Sequence, residues 1–271
     1  MKRITILGDS NGCGEWIFNP LNNKEPITEN TFFREPISGR KHPLIETHPG
    51  LELYLNEMGN ACFNLSSGGN NNMRLLTDLE HSLLLRLPRH KPRFVSPHYI
   101  VWIITEPIRD IDMLNDSIYK DNYPKYHEDL ISIIRKNRND INELNLALLD
   151  YSFQVAERIY EITKIPFIIV EGLSITHDLE KKYKFCHSKI ENWIGNIVGL
   201  TPPVASTNQV FYLSQDFLEK NLKIEQVDYL MEKYLEWVGI LKNHPDFPDN
   251  VHPSKEKHKE LAIKINEIIN T

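Results

Sequence analysis

Short apolar runs alternate along this chain with stretches in which apolar residues recur every three or four positions. Arg3–Gly8 is a β-branched run ending in a turn and reads as a strand. Ala61–Leu65, Tyr99–Ile104 and Pro166–Val170 read the same way. Tyr99–Ile104 (Tyr-Ile-Val-Trp-Ile-Ile) is apolar throughout, as expected of a strand covered on both faces. Val210–Leu213 is a weaker fifth. Helical patterns lie between the strands. Pro49-Gly50 opens one with Leu51, Leu53, Tyr54, Leu55 and Met58 as its apolar set, and Gly59-Asn60 closes it. Asn71–Leu87 carries Leu75, Leu76, Leu79, Leu83 and Leu84 at helical spacing. A long helical region runs from about Glu128 to Thr163 with a break near Asn137–Asn142. Residues near Ile224–Leu241 and Ser254–Ile269 form two last helices.

This alternation predicts an α/β protein with a mainly parallel five-stranded sheet and helices on both of its faces. No linker, repeat or low-complexity tract divides the chain, so residues 1–271 read as one domain. Two stretches, Asn11–His48 and Glu106–His127, read as long irregular loops. They follow the first and third strands. Ligands of open α/β sheets bind outside the carboxyl ends of the strands, so both loops are expected to border the site.

Composition narrows the function classes. The chain has 271 residues and a formal net charge of −6. Without an excess of Lys and Arg to neutralise phosphates, no nucleic-acid partner is expected. No apolar run reaches membrane-spanning length, and no membrane partner is expected. Lys2 and Arg3 are followed by only a short apolar run before Gly8, which does not make a secretory signal. The protein is expected to stay in the cytoplasm or enter a particle assembled there. Cys13, Cys62 and Cys186 are too few and too scattered for a disulfide scaffold or a zinc site. The histidines show no metal-ligand spacing, so neither metal nor cofactor is expected.

Three segments carry candidate chemistry. Gly8-Asp9-Ser10 lies just past the first strand, Asn64 to Asn70 forms a glycine-bearing turn past the second, and Asp249-Asn250-Val251-His252 precedes the last helix. A serine hydroxyl is a weak nucleophile until a base takes its proton, and histidine titrates in the right range. A carboxylate must hold the imidazole in the correct tautomer. Asp249 and His252, three apart on a turn, suit those two roles toward Ser10. Backbone amides of Ser10 and Gly69 are placed to hold an oxyanion. Each segment alone is weak: Gly-Asp-Ser is also a turn tripeptide, and Asp78–His81 repeats the Asp-x-x-His spacing inside a periodic helix as a solvated face.

Taken in order, the segments resemble the SGNH (GDSL-like) hydrolase family. Gly8-Asp9-Ser10 with Gly14 matches its first block, Asn64 and Gly69 its second, and Asp249 with His252 its last. The resemblance implies a three-layer α/β/α sandwich, flavodoxin-like in its winding, and esterase or acyl-transfer chemistry without a metal, with Ser10, Asp249 and His252 catalytic and the Ser10 and Gly69 amides in the oxyanion hole. The family's third block, Gly-x-Asn-Asp, is missing. Pro107 stands near the place of its Asn and has no N–H to give. Thr105 Oγ and Arg109 are the candidate replacement donors, and Asn70, Asn71 and Arg109 are candidate substrate contacts. The runs Ser67–Asn72 and Thr105–Arg109 also resemble SGNH-like proteins encoded by tailed phages.

The substrate expected is an O-acetyl or short acyl ester of a carbohydrate or another small polar molecule. Acyl transfer with the same residues, or a binding protein of a virus particle that has lost turnover, are the alternatives. Asp9 is expected to orient its loop by side-chain to backbone bonds. Cys13 reads as a small buried residue rather than a second nucleophile. Asn70–Asn72 are equally suited to capping the next helix. Trp16, Phe18, Phe32, Phe33, Tyr119, Tyr123 and Tyr126 either wall a pocket or form a small core that holds the long loops.

Overall fold

The computed structural model describes residues 1–13, 15–17, 32–34, 41–43, 45–47, 50–66, 70–84, 96–115, 117–199, 232, 235–236, 239–241, 244–247 and 252–271. Its centre is a five-stranded sheet of β1 (Arg3–Leu7), β6 (Ala61–Asn64), β7 (Tyr99–Ile104), β8 (Phe167–Glu171) and β9 (Cys186–Ile190) in the order β6-β1-β7-β8-β9. Every pairing is parallel. The chain winds outward from β1 to β6, then returns to the other side of β1 at β7. That reversal places the topological switch point at the carboxyl ends of β1 and β7.

Side chains alternate across the strands with period two. Ile100, Trp102 and Ile104 face one layer, with Phe167 and Ile169 beside them. That layer comprises α3 (Asn72–Leu84), a 3₁₀ segment Pro107–Asn115, α5 (Pro124–Asn137) and α6 (Ile141–Thr163). Val101 and Ile103 face the other layer together with Ile4, Ile6, Ile168 and Val170. This second layer comprises α2 (Gly50–Glu57), α7 (Trp193–Val198) and the C-terminal helix Lys255–Asn270. Leu51, Leu55, Leu261 and Ile265 form its inner surface. Both faces are covered, so β7 is apolar throughout and Thr5 is the one buried polar residue within β1.

The long helical region breaks where expected, for a local reason. Asp140 caps α6, its side chain accepting from the amides of Asn142 and Glu143 at 2.8 and 3.2 Å. Other expectations are corrected. Glu106–His127 is mostly helical: after the 3₁₀ segment come α4 (Ser117–Asn122) and the first turn of α5. Its apolar residues Ile108, Ile111, Met113 and Tyr119 are buried in the main core on that face of the sheet. Tyr119, Tyr123, Tyr126 and Tyr151 stack in series against that core, so these aromatics hold the segment rather than wall a pocket.

Within Asn11–His48 the structure shows α1 (Ser10–Cys13) running into two antiparallel ribbons. One pairs β2 (Glu15–Ile17) with β5 (Ile45–Thr47), the other β3 (Phe32–Arg34) with β4 (Lys41–Pro43). The strand expected at Val210–Leu213 lies outside the described residues. The sheet's fifth strand is β9 instead. Among the described residues no helix is long and apolar enough to cross a membrane.

Candidate active site

Strand β1 delivers Gly8, Asp9 and Ser10 to the carboxyl edge of the sheet, and Ser10 is the first residue of α1. This short helix sits tightly against the end of β6. A Cβ on Gly12 would lie 2.4 Å from Ser66 Oγ, so glycine is what permits the approach. Asn64 bridges the two: its Nδ2 donates to the Gly12 carbonyl at 3.2 Å and its Oδ1 accepts the Ser66 amide at 2.9 Å. The serine helix and the turn after β6 are therefore joined before residues 67–69, which with Gly69 lie outside the described residues, as do Gly14 and Asp249.

Asp9 is buried, only 1% exposed, and both carboxylate oxygens are engaged. Oδ1 accepts from the Asn11 amide at 2.9 Å and from Asn11 Nδ2 at 3.0 Å, the side-chain to backbone bond expected of it. Oδ2 accepts from Thr105 Oγ1 at 3.0 Å and from Arg109 Nη1 at 3.1 Å. Arg109 also ion-pairs with Glu106, Nε lying 2.5 Å from Oε2. The Thr105 hydroxyl has Glu106 Oε2 as a further neighbour at 2.9 Å. A hydroxyl has one proton to donate, and here it is directed at a buried carboxylate. Thr105 and Arg109, candidates for the oxyanion and the substrate, are thus bound into a cluster behind Ser10.

The asparagine run divides its labour. Asn71 caps α3, Oδ1 accepting the Arg74 amide at 2.8 Å, and is buried. Asn72 is fully buried and reaches across to β7: Nδ2 donates to the Thr105 carbonyl at 3.0 Å, and Oδ1 accepts from the Thr105 amide at 3.1 Å and from Trp102 Nε1 at 3.3 Å. Asp110 fastens the same helix from the other side, accepting the Met73 amide at 2.9 Å and, on its second oxygen, the Ser152 hydroxyl at 3.3 Å. Asn70 is half-buried, its Oδ1 3.3 Å from the Asn71 amide.

His252 stands three residues before the C-terminal helix, which Ser254 caps through the Lys257 amide at 3.4 Å. The direction of that helix locates it. Asn266, near the far end, accepts from Asn60 Nδ2 at 3.0 Å, and Asn60 precedes β6 at the amino edge of the sheet. His258, in the first turns, stacks edge-on against Trp193, which follows β9 at the carboxyl edge. The helix therefore runs antiparallel to the strands, and its start brings His252 to the edge where Ser10 emerges. Asp78 and His81 lie on α3 in the opposite layer, Asp78 exposed, as a solvated helix face requires.

A second polar cluster, with no signal in the sequence pattern, occupies the same edge at β8 and β9. Glu171 accepts the Thr176 amide and hydroxyl at 2.8 and 2.7 Å and the Asn192 amide at 2.9 Å. Lys189 lies 2.8 Å from Glu180 and 3.7 Å from Glu171. Burial pushes the Glu180 carboxyl upward, but hydrogen bonds from Lys189 and Thr176 outweigh it and hold the group below its ordinary value. Burial likewise opposes the charge of Lys189, and Glu180 and Glu171 more than restore it, raising its pKa.

No family model matches the chain, and no curated protein matches it. Among solved structures it is similar to LAE5, an alpha/beta hydrolase enzyme from the metagenome of Lake Arreo, Spain, at 11% identity and a TM-score of 0.34, over 99% of this chain and 95% of that one. It is also similar to the lipase/acylhydrolase from Enterococcus faecalis, at 14% identity and a TM-score of 0.36, over 99% of this chain and 95% of that one. A catalytic mutant of Axe2, an acetylxylan esterase from Geobacillus stearothermophilus, aligns at 14% identity and a TM-score of 0.35, over 100% of this chain and 94% of that one. Likeness at this level does not reach individual side chains, whose roles are read from their own geometry.

Proposed function

We propose that this chain is a serine esterase of the SGNH type. Ser10 Oγ attacks the ester carbonyl as His252 takes its proton, and Asp249 holds the imidazole and balances its charge. The amides of Ser10 and Gly69 stabilise the oxyanion. The intermediate collapses, the alcohol leaves with the proton from His252, and water then hydrolyses the acyl-enzyme by the same relay. The observation that supports this reading is that Ser10 and His252 come to the same carboxyl edge of the sheet from opposite ends of the chain. The substrate class is an O-acetyl or short acyl ester of a carbohydrate or another small polar molecule.

One observation favours a second reading, a binding protein on the same fold with weak turnover. Pro107 cannot donate from its backbone, and Thr105 and Arg109 are turned toward Asp9 and Glu106. An oxyanion hole that lacks one donor is slower by roughly 10²–10³. Hydrolysis of p-nitrophenyl acetate by the purified protein and by folded Ser10→Ala separates the readings. Turnover that the variant loses is expected for the esterase; equal background rates leave the binding protein. Repeating the assay with an acceptor alcohol and identifying the products distinguishes hydrolysis from acyl transfer.

A further inference from the structure

We infer that Asp246 and Ser254 form a clasp that positions His252, the base in the esterase reading above, on which this rests. His252 is half-buried and lies in neither a strand nor a helix, so no backbone ladder fixes where its ring sits. A general base works only within hydrogen-bond reach of the proton it takes, and supporting residues must hold it there. Ser254, two residues on, is tied from both sides. Its amide donates to the Asp246 carbonyl at 2.7 Å, and its side chain accepts from the Lys257 amide at 3.4 Å. Between Ser254 and His252 stands only Pro253, which is buried and whose ring stiffens the backbone. Whatever holds Ser254 therefore holds His252.

The other half of the clasp is anchored in the core. Phe247, next to Asp246, is 1% exposed and belongs to the same core cluster as Leu261 and Ile265 of the C-terminal helix. Its amide donates to the His244 carbonyl at 3.0 Å, and the two rings meet edge-on with their centres 5.5 Å apart. Nδ1 of His244 accepts the Asp246 amide at 3.2 Å. Lys257 Nζ, on the C-terminal helix, lies 3.8 Å from Asp246 Oδ2 and adds a looser link across the clasp. A core-anchored turn is thus joined to the start of the helix, and the stretch of chain that carries His252 is closed at its base. Closure removes freedom that the stretch would otherwise keep. Asp246 and Ser254 are positioning residues in this scheme: they act through His252.

Ser254 has a φ of −65°, which proline adopts, so Ser254→Pro replaces its N–H by a ring carbon and parts it from the Asp246 carbonyl. Ser254→Ala keeps the N–H and loses only the helix cap. With p-nitrophenyl acetate as the probe, Ser254→Pro is expected to lower kcat by on the order of tenfold to a hundredfold with KM little changed, because a misplaced catalytic group costs most in the transition state. Ser254→Ala recovers most of the loss. Nuclear magnetic resonance reads the clasp without catalysis. The ring signals of His252, identified by their disappearance in His252→Gln, are expected to move toward those of free histidine in Ser254→Pro and to stay near their wild-type positions in Ser254→Ala. Unchanged kcat in the folded Pro variant overturns the inference. So do ring signals that stay in place in that variant, or an Ala variant no better than the Pro one. If the wild type shows no turnover while Ser254→Pro still releases the His252 ring, the esterase reading fails and the clasp stands. If the ring stays in place as well, both fail. Should Ser254→Pro not fold, Phe247→Leu, which loosens the anchor of Asp246, is measured in the same way. Failure of both to fold overturns a positioning role and makes the clasp purely a stability element.

Discussion

The carboxamide of Asn72 pairs with both backbone groups of Thr105, donating to the carbonyl at 3.0 Å and accepting the amide at 3.1 Å. The same oxygen accepts from the Trp102 indole at 3.3 Å. All three partners are buried, so truncating this side chain leaves two donors and an acceptor with nothing to replace it. Asn72→Ala is expected to cost roughly 2–4 kcal/mol, well above a typical surface substitution. Urea unfolding of the variant beside the wild type measures it. A loss under about 0.5 kcal/mol would mean that these bonds are replaced or unneeded.

The pair Glu180 and Lys189 makes stability depend on pH at both ends of the scale. Glu180 is lowered from 4.5 in the fold, so its contribution is present above that value and is lost as pH falls through the lowered one. Lys189 is raised from 10.5, so its contribution is present below that value and is lost as pH rises through the raised one. Glu180→Gln is therefore expected to flatten the fall in unfolding midpoint as pH drops below 4.5. A slope equal to the wild type's would show that other carboxylates carry the acid sensitivity.

Cys62 and Cys186 are expected to resist alkylation. Burial, with Glu52 adding to it, pushes the Cys62 thiol up to about 12. Burial, with Glu180 adding to it, pushes Cys186 up to about 11. The thiolate is the reactive form, and near neutral pH both groups hold almost none of it. Iodoacetamide labelling of the native protein, located by mass spectrometry, should leave both unmodified until the chain is denatured. Both are half-buried, and rapid native labelling of either would show that its thiol ionises more readily than this setting allows.

Gly172 is expected to tolerate no side chain. A Cβ there would lie 2.8 Å from the Ile104 carbonyl oxygen and 2.9 Å from Ile103 Cγ2, and backbone cannot rotate away as a side chain can. The Leu173 amide donates to that same carbonyl at 3.1 Å, which fixes the approach. Gly172→Ala should cost roughly 1–3 kcal/mol by overpacking, read as a lowered thermal midpoint. An unchanged midpoint would mean that the end of β7 yields without penalty.

Strands β7 and β8 were legible in the sequence because burial on both faces leaves a nearly unbroken apolar run; β1 was legible with Thr5 as its one buried polar residue, and β6, a half-exposed edge strand, by its short run between Gly59-Asn60 and the turn that starts at Ser66. Strand β9 was not, because Cys-His-Ser-Lys-Ile mixes polar residues into an edge strand whose Lys189 serves the Glu171 and Glu180 carboxylates. The segment Pro107–Asn115 read as a loop for a related reason. Arg109 and Asp110 look like solvent-facing charges in a one-dimensional pattern, yet both are buried and engaged with partners far along the chain. Ser10 and His252 stand out in the sequence by type, spacing and order as candidates for the proposed chemistry. The pairing of Asp9 with Arg109 has no local signature at all, since only the sheet brings them together.

The strand order also sets when the site can come into being. Arg3 pairs with Ala61, and Ile4 pairs with both Cys62 and Tyr99, so β1 has no partner of its own in the residues that directly follow it. During synthesis the serine turn emerges well before β6, and β6 well before β7. Loops must close over long separations before these parallel pairings are rewarded, which makes them slow to form. Until Tyr99–Ile104 has left the ribosome, Ile4, Ile6 and Leu7 stay uncovered on one side, open to wrong contacts of the kind chaperones intercept. The turn that emerges first is thus among the last pieces to be locked, because Asp9 meets Thr105 and Arg109 only once more than a third of the chain exists.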